Sequence, residues 1–556
     1  MKTVSFVKRK FNAMLGVATV SMSVNFIVML SGSLIAGNLL GKEGLAGINV
    51  CTPVFAVASF LGSLISVGAG LVFAQAMGGF DERRAAGIWS QSACLALGLG
   101  AFIFLAMVIG GEFFMDFNGV TGAIRAEAES YWRWQAVSMG LTPVLLLVMA
   151  MVYADGDGTV AMCAGGCYVG GTLLFSILFT FLSGHAGGIS GGTALTILIV
   201  LIVSSLHFLR KNNHLKFIRY FSFRDLGRTV LSSAPDATIY LCWGLLVLVV
   251  NRFTVMRFGE ELLAVVALGV SVVQFSIVFD GVGEALIPLG GMYAGEKNSP
   301  ALRELATHSA LVAAGEGVLV GLVLLAFASP IATAYGFRGE AARLLPQAEG
   351  VVRSLAFAMP FMGFLMMANT HYLVVGHVKL AVSVTILKDF VLSCLFALLF
   401  GGLFGFSGLW IGMIAGYAAA AVYPFLFVRL AYGPSCFPWL IGRDAAALDF
   451  SIRLDRESLV AARDRIAEFL HRGGVDDSSV NRVMYSVEEN GLAVIEKNVS
   501  GRPCVEYFVS LAKPGFVRLI VRDDGIAMET PFRAFSESRY LNTLNCNRTE
   551  HWFKCS

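Results

Sequence analysis

Charge is what this chain is short of. Charged residues make up 14% of its 556 positions, against 56% hydrophobic ones. Residues of either sign, histidine included, are absent from Phe11–Gly41, Gly44–Phe80, Ala85–Gly111, Trp134–Ala154, Gly158–Gly184 and Ala186–Leu206. Six such runs in succession exclude an ordinary soluble fold, and each is long enough to cross a bilayer, which needs about 20 apolar residues. The ten cysteines lie mostly singly in apolar segments, so no disulfide framework is legible. Cys163 and Cys167 share a helix face but lack partner ligands for a zinc site. No metal or organic cofactor is expected. A cleavable leader is not expected either: Phe11–Gly41 is too long for a signal-peptide core and reads as the first span.

What is present is a hydrophobic sequence written twice, the copies about 217 residues apart. Gly41 and Ala46 recur as Gly259 and Ala264, Pro143 as Pro360, and Gly184, Gly188, Ser190 and Gly191 as Gly401, Gly405, Ser407 and Gly408. The second copy has apolar cores near 232–256, 262–292, 309–333, 351–374, 379–402 and 407–428. The expected fold is an all-α polytopic membrane protein of twelve transmembrane helices in two six-helix repeats, followed by a small α+β cytoplasmic domain. The expected division is a first bundle over 1–209, a basic linker over 210–231, a second bundle over 232–431, a linker over 432–448 and a soluble domain over 449–556. Lys2, Lys8, Arg9 and Lys10, together with Arg210, Lys211, Lys216, Arg219, Arg224 and Arg228, place both termini and the central linker on the cytoplasmic side. A multi-pass protein of the cytoplasmic membrane follows. The basic linker has a second reading as a surface for anionic lipid.

Residues 449–556 hold 15 Lys+Arg and 16 Asp+Glu, a composition foreign to the rest of the chain. Their apolar spacing predicts helices over 455–471 and 477–498, then a hairpin of Val505–Leu511 and Phe516–Val521 around Ala-Lys-Pro-Gly.

Ionisable residues inside a membrane are costly and mark cavities, so their distribution is the sharpest chemical clue. The first-half spans have no acid in their interiors, whereas the second half carries Asp236, Asp280, Glu284, Glu316 and the pair Lys388-Asp389. Asp280 and Glu284, at i and i+4, share a helix face and are suited to share a proton. Asp236, just after Pro235, reads as interfacial. Asp280, Glu284, Glu316 and Asp389 are thus the cation-coupling candidates, with H+ or Na+ as the ion. Each has a bland alternative: Asp389 neutralising Lys388, Glu284 packing or gating, and Glu316 accompanying a close helix approach at Gly315 and Gly317. Trp243, Gln274, Phe275, Phe364, Met366, Asn369 and His371 are candidates for a substrate cavity, although aromatic and methionine residues also simply fill a bundle. His371 reads either as a proton relay or as a satisfied polar residue at a helix end.

The segment LLGKEGLAGINVCTPV around Gly41, Leu45, Ala46 and Pro53, AQAMGGFDERRA at 74–85, and GVGEALIPLGGMYAGEKN at 281–298 resemble the multidrug and toxic compound extrusion (MATE) transporters over about residues 10–431. The resemblance implies a secondary antiporter, not an enzyme, that exports amphipathic, often cationic compounds on a proton or sodium gradient. Departures accompany it. The family's first-span Asp corresponds to Ser33, and the acids that it carries near Trp243 and Phe364 are missing here. A flippase for a lipid-linked precursor is the alternative, weakened by the lack of an intramembrane Arg cluster. The C-terminal residues resemble a divergent histidine-kinase-type, anti-sigma-factor-like ATPase domain, through Val487-Glu488-Glu489-Asn490 and Asp523-Asp524-Gly525. That family's magnesium-holding Asn falls four residues after the Glu, where this chain has Leu492 or Ala493, and residues 526–556 contain no glycine to cradle phosphate. Glu488, Asp523 and Gly525 are therefore read as degenerate nucleotide-box residues in a domain without ATPase activity, which docks or regulates. A membrane-tethered signalling protein acting through this domain is a further alternative. The expected partners are a small-molecule substrate, the bilayer and a regulatory protein at the C-terminal domain, with no nucleic acid.

Overall fold

The structure, a computed structural model, describes residues 5–117, 122–210, 213–259, 262–335, 337, 339–442, 446–498, 501–526, 537–544 and 546–555. Six helices form the first half: α1 (Phe6–Leu39), α2 (Gly41–Gly78), α3 (Glu82–Phe117), α4 (Gly122–Ala154), α5 (Gly158–Ser183) and α6 (Gly187–Ser205). The second half holds α7 (Phe223–Phe258), α8 (Leu263–Val273), α9 (Asp280–Glu296), α10 (Ser299–Ala326), α11 (Ala328–Ala334) and α12 (Leu345–Ala356). It continues through α13 (Met359–Val374), α14 (Val378–Ile386), α15 (Leu392–Phe404) and α16 (Phe406–Tyr432). Among the described residues ten helices are long and apolar enough to cross a membrane, or eleven if the bent pair Ala342–Ala356 and Met359–Val374 is one span. The twelfth expected span falls on α1, where most side chains from 20 to 38 lie outside the described residues. One expected boundary shifts: α7 starts at Phe223, capped by Ser222 Oγ accepting from Asp225 N at 3.2 Å, so the end of the basic linker is already helix.

The two halves repeat each other in local geometry. Phe80 and Lys297, 217 residues apart, both take the left-handed conformation, with φ of 55° and 62°. Each is followed by a helix cap, Asp81 Oδ1 accepting from Arg84 N at 3.0 Å and Asn298 Oδ1 from Ala301 N at 3.1 Å. Towards the end of each half the offset becomes 220. A Cβ on Gly188 would lie 2.3 Å from Thr180 N and one on Gly408 2.2 Å from Phe400 O; likewise Gly192 meets Ser176 N at 2.4 Å and Gly412 meets Phe396 O at 2.2 Å. The sequence recurrence of Gly184 and Gly188 at Gly401 and Gly405 is thus not the structural one. Helix-to-helix contact selects small residues at the crossing points, and these move with three extra residues in the second copy.

The C-terminal part begins with β1 (Ala447–Arg453), followed by α17 (Arg456–Arg472), α18 (Asp477–Lys497), β2 (Cys504–Ser510), β3 (Phe516–Asp523), β4 (Glu537–Thr543) and β5 (Cys546–Lys554). Asp455 and Ser458 form a reciprocal capping box that starts α17. The sheet is antiparallel throughout, in the order β1-β2-β3-β5-β4. Alternate residues serve opposite faces: Val505, Tyr507, Val509, Val517, Leu519 and Val521 pack on α17 and α18, while Phe508, Ile520 and Leu541 join a core with residues of α2, α3 and α4. The sheet is therefore a middle layer between two helices and the bundle. Sequence spacing predicted α17, α18, β2 and β3; β1, β4 and β5 and the docking of the sheet were not predicted.

Leucine at Gly412 must displace the Phe396 backbone, whereas Gly402 has open space around it. The expected outcome is that Gly412→Leu destabilises the bundle by about 1–3 kcal/mol or more, read as a lower thermal midpoint in detergent, and that Gly402→Ala leaves the midpoint unchanged or higher.

Candidate functional site

The second-half acids converge from three elements. Asp236 lies on α7, Asp280 and Glu284 on α9, and Lys388 and Asp389 on a π-helical turn, Leu387–Val391, between α14 and α15, an irregularity frequent at functional sites. Lys388 is 4% exposed and its Nζ donates to both carboxylate oxygens of Asp389, at 2.6 and 2.7 Å. Asp280 is within electrostatic reach of Asp236, Lys388, Glu284 and Asp389. Three of these acids, Asp236, Asp280 and Asp389, thus share one buried lysine, and Glu284 adjoins them beside Asp236 and Asp280. The Oδ1 atom of Asp280 is buried and has no hydrogen-bond partner among the described residues. Asp236, expected at the interface, joins this group because α7 starts at Phe223, which carries Asp236 about 20 Å along the helix. Glu316 stands apart, accepting from Thr19 Oγ1 of α1 at 3.4 Å. Of its flanking glycines, Gly317 makes the close approach, to Pro360 of α13, and Gly315 faces open space.

The cavity candidates disperse. Trp243 lines a small apolar pocket with Leu246, Val250, Val270, Val273 and Trp410. Gln274 and Phe275 begin the 3-10 segment Gln274–Phe279 that joins α8 to α9. Phe364 stacks on Phe425, with centroids 5.3 Å apart and planes at 11°. Asn369 is buried, with its Oδ1 unpaired among the described residues. His371 is buried near the end of α13, where its Nε2 donates to the carbonyl of Trp439 at 2.9 Å. It therefore secures the segment leading to the C-terminal domain and is no cavity residue.

In the C-terminal domain the residues expected to form a degenerate nucleotide box are engaged internally. Asp523 Oδ1 accepts from Asn547 Nδ2 at 2.8 Å and from Gly525 N at 3.0 Å; burial pushes Asp523 up to about 6 in spite of these bonds. Glu488 pairs with Arg463 at 2.8 Å, and a Cβ on Gly525 would meet Asn498.

The face of the sheet turned to the bundle carries a second polar cluster that sequence reading missed. Arg522 and Arg548 are 0% exposed, as are Glu296 and Glu506. Arg548 donates to Glu296 Oε1 at 2.5 Å and to the carbonyls of Met77 and Gly78, at 3.2 and 3.3 Å. Arg522 pairs with Glu296 and Glu506, and Tyr293 Oη donates to Glu506 Oε2 at 3.1 Å. Burial lowers both arginines to about 10, which leaves them cationic at neutral pH. A second missed cluster ties the loop between α4 and α5 to the central linker: His207 bridges Asp157 and Asp155 at 3.0 and 2.9 Å, and His214 reaches Asp155 at 2.8 Å. Its signal was the pattern Asp-Gly-Asp between two spans with histidines after the sixth.

A helical membrane bundle of two quasi-equivalent halves, with acids inside the spans of one of them, defines a membrane transport protein rather than an enzyme. The MatE family model matches residues 17–182 and 238–399, without extending into the C-terminal domain, and the chain belongs to this family. Among solved structures it is similar to an outward-facing multidrug resistance MATE family transporter of the MOP superfamily, with 21% identity and a TM-score of 0.72, covering 78% of this chain and 98% of that one. It is also similar to MATE in complex with MaL6 (20%, TM-score 0.72, 76% and 96%). A third is a MOP superfamily transporter from Pyrococcus furiosus, described as having a binding pocket of reverse polarity (20%, TM-score 0.71, 78% and 98%). At these identities the likeness is one of fold. Comparison with curated proteins found no match.

Because Asp523 already accepts two internal hydrogen bonds, titration of ATP-Mg into the full-length protein is expected to give no binding heat. Micromolar affinity would show that the box is functional.

Proposed function

We propose that the chain is a cation-coupled antiporter that exports amphipathic, cationic small molecules, with the coupling group formed by Asp280, Glu284 and Asp236 around Lys388-Asp389. The observation that carries this reading is the charge imbalance: four acids against one lysine, with an oxygen of Asp280 left unpaired. Four ionised carboxylates so close together repel one another in a medium of low dielectric, and a bound proton or cation relieves that repulsion. Lys388, held by Asp389, acts as an internal counter-charge that leaves the remaining acids free to take up and release the ion. A cationic substrate competes for the same negative site, so ion and substrate alternate, as antiport requires. The location of the acids inside the spans of one half only makes that half the coupling half.

The basic ends of the helices, the central linker and the C-terminal domain lie on one face, which we assign to the cytoplasm of a cell with this protein in its cytoplasmic membrane. The engaged state of Asp523 and Glu488 supports reading the C-terminal domain as a docking unit without ATPase activity.

Proteoliposomes with an imposed pH or sodium gradient and the dye ethidium test this reading. Asp280→Asn is expected to cut gradient-driven efflux at least tenfold while the folded yield stays at the wild-type level, and Glu316→Gln is expected to cost less. Unchanged efflux in Asp280→Asn would remove this residue from the mechanism.

A further inference from the structure

At the basic face the two halves touch without side chains between them. A Cβ on Gly78 of α2 would lie 2.2 Å from the Met292 carbonyl and 3.0 Å from Gly295 Cα; one on Gly295 of α9 would lie 2.2 Å from the Gln75 carbonyl. Opening the bundle on this face requires these helix ends to part. The sheet of the C-terminal domain lies across them.

Its arginines bind carbonyls at the ends of both helices. Arg548 donates to Met77 and Gly78 at the end of α2, in the first half, and to the Glu296 carboxylate of α9, in the second. Arg518 donates to the Glu296 carbonyl at 2.5 Å. Cations at helix C-termini are favoured by the exposed carbonyls and the helix dipole. The guanidiniums of Arg548 and Arg522 also lie over the rings of Phe80 and Tyr293, at 4.5 and 4.8 Å, again one from each half. Glu296 stands where the first copy has Gly79, so the repeat breaks at the one acid that the arginines share. The domain holds further first-half elements: Phe6 N donates to Ser451 Oγ at 3.2 Å, Arg9 pairs with Asp524 at 3.0 Å, and Gly156 lies directly beneath Leu544.

We propose that the C-terminal domain is a releasable lock on the cytoplasmic gate: docked, it ties α2 to α9 through Arg522, Arg548 and Glu296, and the gate opens only when the sheet lifts away. A rigid sheet bonded to both halves cannot stay bonded to both while they rock apart. The seam suits release, because water solvates the arginines and glutamates on separation and so offsets part of the cost of exposing Phe508, Ile520 and Leu541 on the same face. The inference rests on the rocking of the halves and is independent of the ion and compound carried.

Hydrogen exchange of the full-length protein in lipid nanodiscs tests it without any substrate. Glu296→Gln, on the bundle side, and Arg548→Met, on the sheet side, are each expected to raise exchange at least tenfold in residues 74–79 and 291–297. Protection in α17 and α18 should stay at the wild-type level. Wild-type protection of both gate segments in the two variants would overturn the lock, whatever happens within the domain. If Arg548→Met also loses protection in α17 and α18, Glu296→Gln decides, since it leaves the domain's own sequence intact. Faster ethidium efflux in Glu296→Gln would add support; if no gradient drives ethidium in the wild type, the transport reading falls and the exchange result stands by itself.

Discussion

The contact on which the rest of this structure depends is the one between Gly78 and Gly295. Backbone meets backbone there, so the two halves share a seam with no room for a side chain. In lipid there is no hydrophobic drive to press helices together, and close approach at small residues supplies the attraction instead. The same geometry brings the ends of α2 and α9 side by side and presents the terminal carbonyls of each to one surface. The C-terminal sheet uses that surface.

Two of the polar clusters in this otherwise apolar protein, at the dock and in the second half of the bundle, differ in balance. At the dock, Arg518, Arg522 and Arg548 meet Glu296, Glu506 and Glu550, so each guanidinium has a carboxyl partner, and Arg522 and Arg548 remain cationic although buried. In the bundle, four acids meet one lysine and charge is unmatched. A cluster in which every cation has its partner holds parts together, whereas one with excess acids repels itself unless a proton or cation joins it. The two clusters also differ in place, one between the sheet and the bundle and the other within the bundle.

Much of the fold was legible because membrane helices are written in a plain code: long runs without charge, ended by basic residues or glycine. The helices α17 and α18 were legible from their apolar spacing, and the acids of α9 from the cost of burying them. What was missed had physical reasons. Strands β4 and β5 read as polar, since Arg548, Glu550 and His551 look like surface residues until a second layer covers them. Asp236 was placed at the interface because the start of α7 was set too late, and the recurrence of Gly184 at Gly401 followed letters rather than helix crossings.

By itself the sequence determined a duplicated membrane bundle with its acids in the second copy and a small helix-and-sheet domain at its end, because apolar length, repeat spacing and strand alternation are local properties. Only the tertiary structure decided that Glu296, Glu506, Arg522 and Arg548 are buried together, that Asp236 belongs with Asp280, and that the sheet spans both halves. A charged residue looks the same in sequence whether water or another charge solvates it. For Glu296 the partners that replace water, Arg522 and Arg548, lie more than 200 residues away, and their identity exists only in the folded chain.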